Sequence, residues 1–294
     1  MSVFIGLVAA MLSLGTPLVI AAAGETVSER AGVLNIGLEG MMLSAAFAGF
    51  ATASVTGSPW IGILAGVGVA LVVALLTAEL VLRRQADQVV VGTGINLLAL
   101  GVTGVLFVEM FGKTGKLVAV EPIPKFGGTL GLDALMFAGV GIAWLAWFLL
   151  MRTQWGLAVR ACGEAPQAAE AAGYNPLRLR FQAMVFGALT AGVAGAYLSV
   201  AQTGSFAENM TEGRGFVVIA AVTFGRWTSR GAALASLLIA FAYGLKYAIN
   251  ALRLPVPPQL FDALPYLLAL AVLFGAGRSA SAPAALALPY KPRS

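Results

Sequence analysis

The sequence predicts an all-α protein, a polytopic bundle of about eight to ten transmembrane helices. Of its 294 residues, 59% are hydrophobic and only 11% are charged, whereas a soluble globular domain carries about 25% charged residues. Apolar stretches of the length that one bilayer-spanning helix needs, roughly 20 residues, also recur along the chain. A chain of this composition would expose too much apolar surface in water, so lipid is the solvent that suits it.

Nine apolar stretches are predicted as helices, because charged residues or turn residues separate them. The sequence Gly57-Ser-Pro59 divides the second stretch from the third. In order, the nine are residues 3–23, 41–56, 60–82, 89–110, 134–151, 181–207, 215–225, 231–250 and 263–277. Residues 1–278 are therefore predicted to form one transmembrane domain, followed by a flexible C-terminal tail at 279–294.

The basic residues predict the orientation, because cytoplasmic loops carry the excess of Lys and Arg. With the N-terminus outside, twelve basic residues fall inside and six fall outside. The inner ones are Arg30, Arg83, Arg84, Arg152, Arg160, Arg178, Arg180, Arg226, Arg230, Arg278, Lys291 and Arg293; the outer ones are Lys113, Lys116, Lys125, Arg214, Lys246 and Arg253. We expect a multi-pass inner-membrane protein with its N-terminus outside and its C-terminus in the cytoplasm.

The residue content argues against an enzyme and against a resident cofactor. The chain has no histidine and one cysteine, Cys162, which removes the commonest general base and any disulfide or cysteine metal cluster within the chain. It also has no Gly-x4-Gly-Lys-Ser/Thr loop, so it does not bind ATP in that way. Transport or another non-catalytic membrane function remains.

Two segments interrupt the helical pattern. Residues 24–40 are too polar for a span and too apolar for a free loop, and Gly32, Gly37 and Gly40 are expected to break the helix there. Asn35 and Glu39 lie among apolar residues, which favours a discontinuous helix beside a transport path. An ordinary surface turn is the alternative. Residues 203–215 repeat the pattern faintly, as an inverted internal repeat would, although a plain extracellular loop explains them equally well.

The loop at 152–180 contains a short helix with its own caps. Residues 164–172 are rich in Ala, Glu and Gln, Pro166 lies in the first turn, and Gly173 is placed to end the helix. Glu164 complements the helix dipole from the first turn. A helix with one face of small residues suits docking into a cleft of another protein; a surface helix between two spans is the alternative.

Three sequence segments resemble one family. The segment Gly163-Glu-Ala-Pro-Gln-Ala-Ala-Glu-Ala-Ala-Gly173 resembles the coupling loop of ABC importer permeases for branched-chain amino acids, simple sugars and nucleosides. The segments Ser28–Met42 and Gly213–Trp227 are similar to signatures of the shorter permease in nucleoside-type importers. The resemblance covers roughly residues 14–276 and implies the fold of an ABC importer permease.

This resemblance implies a set of partners. An ABC ATPase subunit would dock on the coupling loop, a second, related permease would complete a heterodimer, and an extracytoplasmic binding lipoprotein would deliver the substrate. The implied docking residues are Arg160, Gly163, Glu164, Pro166, Ala168, Ala169, Glu170 and Gly173.

The implied substrate is nucleoside-like, and hydroxyls and a flat base call for amides and aromatic rings along the path. The candidates are Asn35, Glu39, Asn96, Phe224 and Tyr243, with helix packing as the alternative role for the aromatics. Simple sugars, riboflavin-like compounds and branched-chain amino acids stay open as substrates. A stand-alone secondary carrier would need ionisable residues within its helices, and the candidates Glu79 and Lys246 lie near predicted helix ends.

Overall fold

The computed structural model describes residues 2–112, 120–121, 123–126, 128–251, 267 and 282–291. Its helices are α1 (Ser2–Arg30), α2 (Leu38–Thr56), α3 (Pro59–Ala78), α4 (Gln88–Phe111), α5 (Ala134–Arg152), α6 (Gln154–Glu164), α7 (Pro166–Ala171), α8 (Pro176–Ala196), α9 (Arg214–Phe224) and α10 (Ser229–Ala251). π-helical turns extend α3 through Glu79–Arg83 and α8 through Tyr197–Thr203. The short strands β1 (Lys125–Phe126) and β2 (Leu132–Asp133) pair antiparallel.

The predicted all-α membrane bundle is confirmed. Within the described residues, six helices are long and apolar enough to cross a membrane, and two shorter apolar helices lie at Arg214–Phe224 and Ser229–Leu245. Apart from residue 267, the predicted helix at 263–277 lies outside the described residues. The first span differs from the prediction, because α1 continues beyond residue 23 to Arg30.

Helix α1 lies at the centre of the bundle, where it packs against α5, α8, α9 and α10. Helix α8 in turn packs against α2 and α3, and small residues let the backbones approach closely. At Gly195, a Cβ atom would overlap the main-chain carbonyl of Met42. Such close contact between small residues replaces the hydrophobic effect as the packing force in lipid, so α2 and α8 are held in one register.

The first predicted break in the helical pattern is confirmed, but it is shorter than expected. Residues 31–37 are non-helical, and all seven are buried or half-buried. Buried irregular backbone needs hydrogen-bond partners from the protein around it. Gly40 is expected to break the helix but lies inside α2. Glycine is needed there for another reason, because its lack of a Cβ lets α4 approach closely at Asn96.

A second interruption separates α8 from α9. Residues 204–213 form bends and turns, and α9 then has only 11 residues. At a rise of about 1.5 Å per residue, such a helix covers about 16 Å, roughly half the thickness of the hydrocarbon core. Both interruptions thus precede a helix, although their relation by an inverted repeat stays a prediction.

The C-terminal residues differ from the expected flexible tail where the structure describes them. Residues 282–291 fold back onto the bundle, and Ala285 and Tyr290 are buried there. Main-chain hydrogen bonds join Ala285 to Gly163 and Ala287 to Gly32. The composition gave no sign of this contact, because backbone groups make the hydrogen bonds.

The close approach at Gly195 gives a stability prediction. We expect Gly195→Ala to lower the free energy of unfolding by about 1–3 kcal/mol, the cost of overpacking a filled interior. Gly68→Ala is the matched control, since Gly68 also lies inside a helix but a Cβ there meets nothing within 4 Å. Thermal unfolding in detergent measures both variants. A Gly195→Ala protein that melts no earlier than the Gly68→Ala protein would contradict the proposed role of this contact.

Candidate functional site

The carboxylate of Glu39 joins the two interruptions of the bundle. Its Oε1 accepts a hydrogen bond from the amide of Gly213 (2.9 Å), and its Oε2 accepts one from the amide of Gly215 (2.6 Å). These amides lie at the start of α9, where the first N–H groups of a helix have no partner within the helix. A negative charge there also complements the helix dipole. Glu39, on the first turn of α2, therefore fixes the start of α9.

Asn96 bridges the other side of the first break. Its Oδ1 accepts from the amide of Gly40 (2.8 Å), and its Nδ2 donates to the carbonyl of Ile36 (2.9 Å). One side chain of α4 thus pairs with a main-chain donor and a main-chain acceptor on either side of the start of α2. Gln88, on the first turn of α4, accepts from the amide of Leu34 in the same segment (2.8 Å).

The side chain of Asn35 retains unused hydrogen-bonding capacity among the described residues. Asn35 is 3% exposed. Its main-chain N–H donates to Glu25 Oε1 (3.1 Å), and its side-chain Nδ2 contacts the sulfur of Met41 (3.5 Å). Its Oδ1 has no hydrogen-bond partner among the described residues. Of the predicted path residues, the structure brings Asn35, Glu39 and Asn96 together around the segment 35–40.

Two further carboxylates, Glu25 and Glu29, were missed by sequence reasoning. They lie one turn apart on α1 and are completely or almost completely buried. Glu25 accepts from the amide of Asn35 in the first break. Glu29 accepts from the indole Nε1 of Trp227, in the turn between α9 and α10. Their spacing of four residues was the available signal, because residues i and i+4 share one helix face.

The aromatic candidates are placed differently. Phe224 and Tyr243 are half-buried and pack against the main apolar cluster, to which α1, α2, α8, α9 and α10 contribute. A cavity of about 260 Å³ lies between α2, α3 and α4. Its walls are apolar except for Ser44 and Thr103, so they offer few partners to a substrate that carries several hydroxyls.

The predicted coupling helix is present but begins later than expected. Helix α6 ends at Glu164 and α7 begins at Pro166, so Glu164 closes one helix and does not lie in the first turn of the next. The reason is Pro166, because proline disfavours the helical conformation in the residue before it. Ala165 is accordingly extended, with φ −147° and ψ 81°.

The predicted C-terminal cap of this helix is confirmed at Gly173. Its φ is +88°, its amide bonds the carbonyl of Glu170, and the amide of Tyr174 bonds the carbonyl of Ala169, which is the Schellman arrangement. Of the predicted docking residues, Glu164, Ala168 and Gly173 are exposed, Glu170 is half-buried, and Pro166 and Ala169 are buried. The loop therefore presents one open face and anchors the other.

Helix α6 attaches this loop to the end of α1. Gly163 is buried so close to α1 that a Cβ atom would overlap the carbonyl oxygen of Arg30. Glu164 Oε1 lies 3.9 Å from the Arg30 guanidinium, and Arg30 Nε donates to the carbonyl of Trp227 (2.6 Å). Arg160 is half-buried, and its Nε donates to the carbonyl of Gly156 (3.3 Å).

Cys162 fills space beside this attachment. It is fully buried, and burial raises the pKa of its thiol, which keeps the thiol protonated near neutral pH and unreactive. This agrees with the role of a small apolar residue.

Comparison with known proteins places this architecture in a family. The family model described as "Branched-chain amino acid transport system / permease component" matches residues 7–273. The guanosine ABC transporter permease protein NupQ of Bacillus subtilis is 32% identical over 305 aligned residues, which cover 97% of this chain and 96% of the relative.

Two further relatives match over most of their lengths. The nucleoside ABC transporter permease protein NupC of Lactococcus lactis is 33% identical, covering 91% of this chain and 90% of the relative. The putative glucose ABC transporter permease protein TsgC13 of Haloferax volcanii is 32% identical, covering 93% and 92% respectively. With its helix bundle and its capped loop at 163–173, the chain belongs to the family of branched-chain amino acid transport system permease components, non-catalytic membrane subunits of ABC transporters.

Proposed function

We propose that this chain is the permease subunit of an ATP-driven importer for a nucleoside-like substrate. The observation that carries the proposal is the similarity, over nine-tenths or more of both chains, to relatives named as guanosine and nucleoside permeases. A simple sugar is the second candidate, because the relative named as a putative glucose permease is similar to the same degree. Riboflavin-like compounds and branched-chain amino acids remain wider alternatives.

A permease of an ABC system works with an ATPase and a substrate-binding partner. We propose that the ATPase docks on α7 and its flanks, that a second, related permease completes a heterodimer, and that an extracytoplasmic lipoprotein delivers the substrate. The excess of basic residues on one side supports an N-terminus outside and a C-terminus in the cytoplasm. The exposed face of α7, with Ala168 at its surface, supports the docking assignment.

The proposed mechanism is conformational. When ATP closes the two nucleotide-binding domains, α7 follows them, and the attachment of Gly163 to the end of α1 passes this movement to the bundle. Binding of ATP shifts the balance between inward-open and outward-open states only because it favours one of them. The proposed substrate path runs beside Asn35, Glu39 and Asn96, with Phe224 and Tyr243 as the aromatic candidates.

Stand-alone secondary transport is the alternative of another class. Glu25 and Glu29 are buried ionisable residues of the kind that a coupling ion would need within a membrane helix. One oxygen of each accepts a hydrogen bond from a non-helical segment, the first break for Glu25 and the α9–α10 turn for Glu29, so both carboxylates have a structural role. An importer driven by an ATPase requires ATP for uptake, whereas a stand-alone secondary carrier does not, so the ATP dependence of uptake distinguishes the two.

The function is tested by reconstituting the chain with its co-purifying ATPase, second permease and binding protein in liposomes. We expect uptake of labelled guanosine to require ATP inside the vesicles and to be inhibited by unlabelled nucleosides. Uptake that glucose inhibits and nucleosides do not would replace the nucleoside by the sugar. ATP-independent uptake by the chain alone would refute the importer.

The docking assignment predicts the effect of reversing two charges on the coupling loop. We expect Glu164→Lys combined with Glu170→Lys to lower uptake by about tenfold or more, because reversed charges across an interface cost several kcal/mol. The amount of protein in the membrane should not change, since neither side chain is fully buried. Glu208→Lys is the control, an exposed carboxylate in the 204–213 segment. Uptake equal in both variants would contradict docking at this loop.

The substrate path predicts a difference between two asparagines. Asn35→Leu should impair transport while leaving assembly with the ATPase and thermal stability nearly unchanged, because Asn35 Oδ1 has no protein partner among the described residues. Asn96→Leu should lower stability by about 1–3 kcal/mol, since it leaves a buried amide and a carbonyl without partners. Uptake rates and melting temperatures measure both. Unchanged transport in Asn35→Leu would remove Asn35 from the path.

A further inference from the structure

The described C-terminal residues 282–291, here the C-terminal strap, contact the coupling loop directly. The amide of Ala285 donates to the carbonyl of Gly163 (2.8 Å), and the amide of Ala284 donates to Glu164 Oε2 (3.3 Å). Both contacts fall where α6 ends and α7 begins. The strap therefore holds the point at which the coupling helix joins the rest of the protein.

The strap also supplies the partners of a buried arginine. Arg180 on α8 is 1% exposed, and three main-chain carbonyls accept its hydrogen bonds: Ala31 (3.2 Å), Leu288 (2.8 Å) and Ala285 (3.3 Å). No carboxylate lies within ion-pair distance of Arg180 among the described residues. A buried charge is costly unless its hydrogen bonds are made. The strap supplies two of the three acceptors, so the burial of Arg180 depends on the strap.

Two more hydrogen bonds extend the strap across the same end of the bundle. The amide of Ala287 donates to the carbonyl of Gly32 in the first helix break (3.2 Å). Gln85, in the turn between α3 and α4, donates to the carbonyl of Tyr290 (3.3 Å). One ten-residue segment thus connects the end of α1, the start of α8, the α3–α4 turn and the coupling loop.

We propose that the C-terminal strap is a positioning brace that makes the coupling loop move together with α1 and α8. The proposal rests on the proposed function, since it assigns the strap a role in transmitting movement from the ATPase. Without the strap, Gly163 and Glu164 would lose their hydrogen bonds to it. Movement of α7 would then bend the α6–α7 junction and be transmitted less completely to the bundle.

An inhibitory latch is the competing role for such a segment, because the strap contacts Glu164, a predicted docking residue. The geometry favours the brace. Ala168 and Gly173 stay exposed beside the strap, and the strap lies on the side of α7 where Pro166, Glu164 and Gln167 line a small cleft with Leu288 and Pro289. The open face of α7 is left for the ATPase.

The test compares the full chain with a chain that ends after Ser281, each co-expressed with its ATPase and companion permease. We expect the shortened chain to retain the ATPase and to hydrolyse ATP, while the amount of substrate imported per ATP falls by about tenfold. Hydrogen exchange at residues 163–173 should become faster. Import per ATP that is unchanged or increased would refute the brace, and an increase accompanied by tighter ATPase binding would establish the latch.

A matched pair of substitutions tests the strap without removing it. Ala287 has φ +60°, a conformation that glycine adopts easily and proline cannot. Ala287→Gly should keep the bond to Gly32 and import at least as well as the natural chain. Ala287→Pro loses that N–H, so import per ATP should fall by about fivefold or more. Equal import by the two variants would contradict the brace.

The failure of the proposed function would look different from the failure of the brace. If the full-length chain retains no ATPase, or if it imports without ATP, the importer assignment fails before the strap is tested. If the full-length chain imports with ATP, and removal of the strap leaves import per ATP unchanged, only the brace fails.

Discussion

The structure depends on satisfying the buried main-chain groups at two helix interruptions. A buried N–H or C=O without a hydrogen-bond partner costs about 1–3 kcal/mol, and side chains from neighbouring helices supply the missing partners. Glu25 and Asn96 pair with the break before α2, and Glu39 pairs with the start of α9. The carboxylates and amides that stand out in an apolar sequence are therefore, first of all, acceptors and donors for the backbone.

This constraint changes how the predicted path residues are understood. Glu39 and Asn96 already use their polar atoms on main-chain groups, so a substrate would have to compete with those hydrogen bonds or pass beside them. Asn35 differs, because its Oδ1 remains without a protein partner in the described part of the chain. Discontinuous helices in transporters form the substrate site, and the Asn35 side chain has an acceptor to spare beside one, so Asn35 is the strongest path candidate of the three.

Local sequence signals predicted the elements that local physics controls. Pro166 and Gly173 set the start and the cap of α7, and the polar, glycine-rich segment 24–40 indicated a broken helix. The sequence could not show that α1 continues through Glu25 and Glu29 as a buried helix, because two carboxylates normally argue against burial. Nor could it place residues 282–291, since the strap makes these hydrogen bonds through its own main-chain groups, which leave no trace in the order of Ala, Leu and Pro.

The coupling loop lies close to the first helix break, and this proximity provides a route by which movement of the loop would reach the break. Gly163 rests on the carbonyl of Arg30, and Glu25, which holds Asn35, lies five residues earlier on the same helix, about 7.5 Å along its axis. Transmission then needs only that the end of α1 move as one body with α6. The hydrogen bonds of Arg180 to Ala31 and to the C-terminal strap join that same end to α8. Under the proposed brace, the ends of α1 and α8 next to the coupling loop therefore move as one unit. A displacement of α7 that shifts this unit must also shift the segment that carries Asn35, because the break begins one residue beyond Arg30.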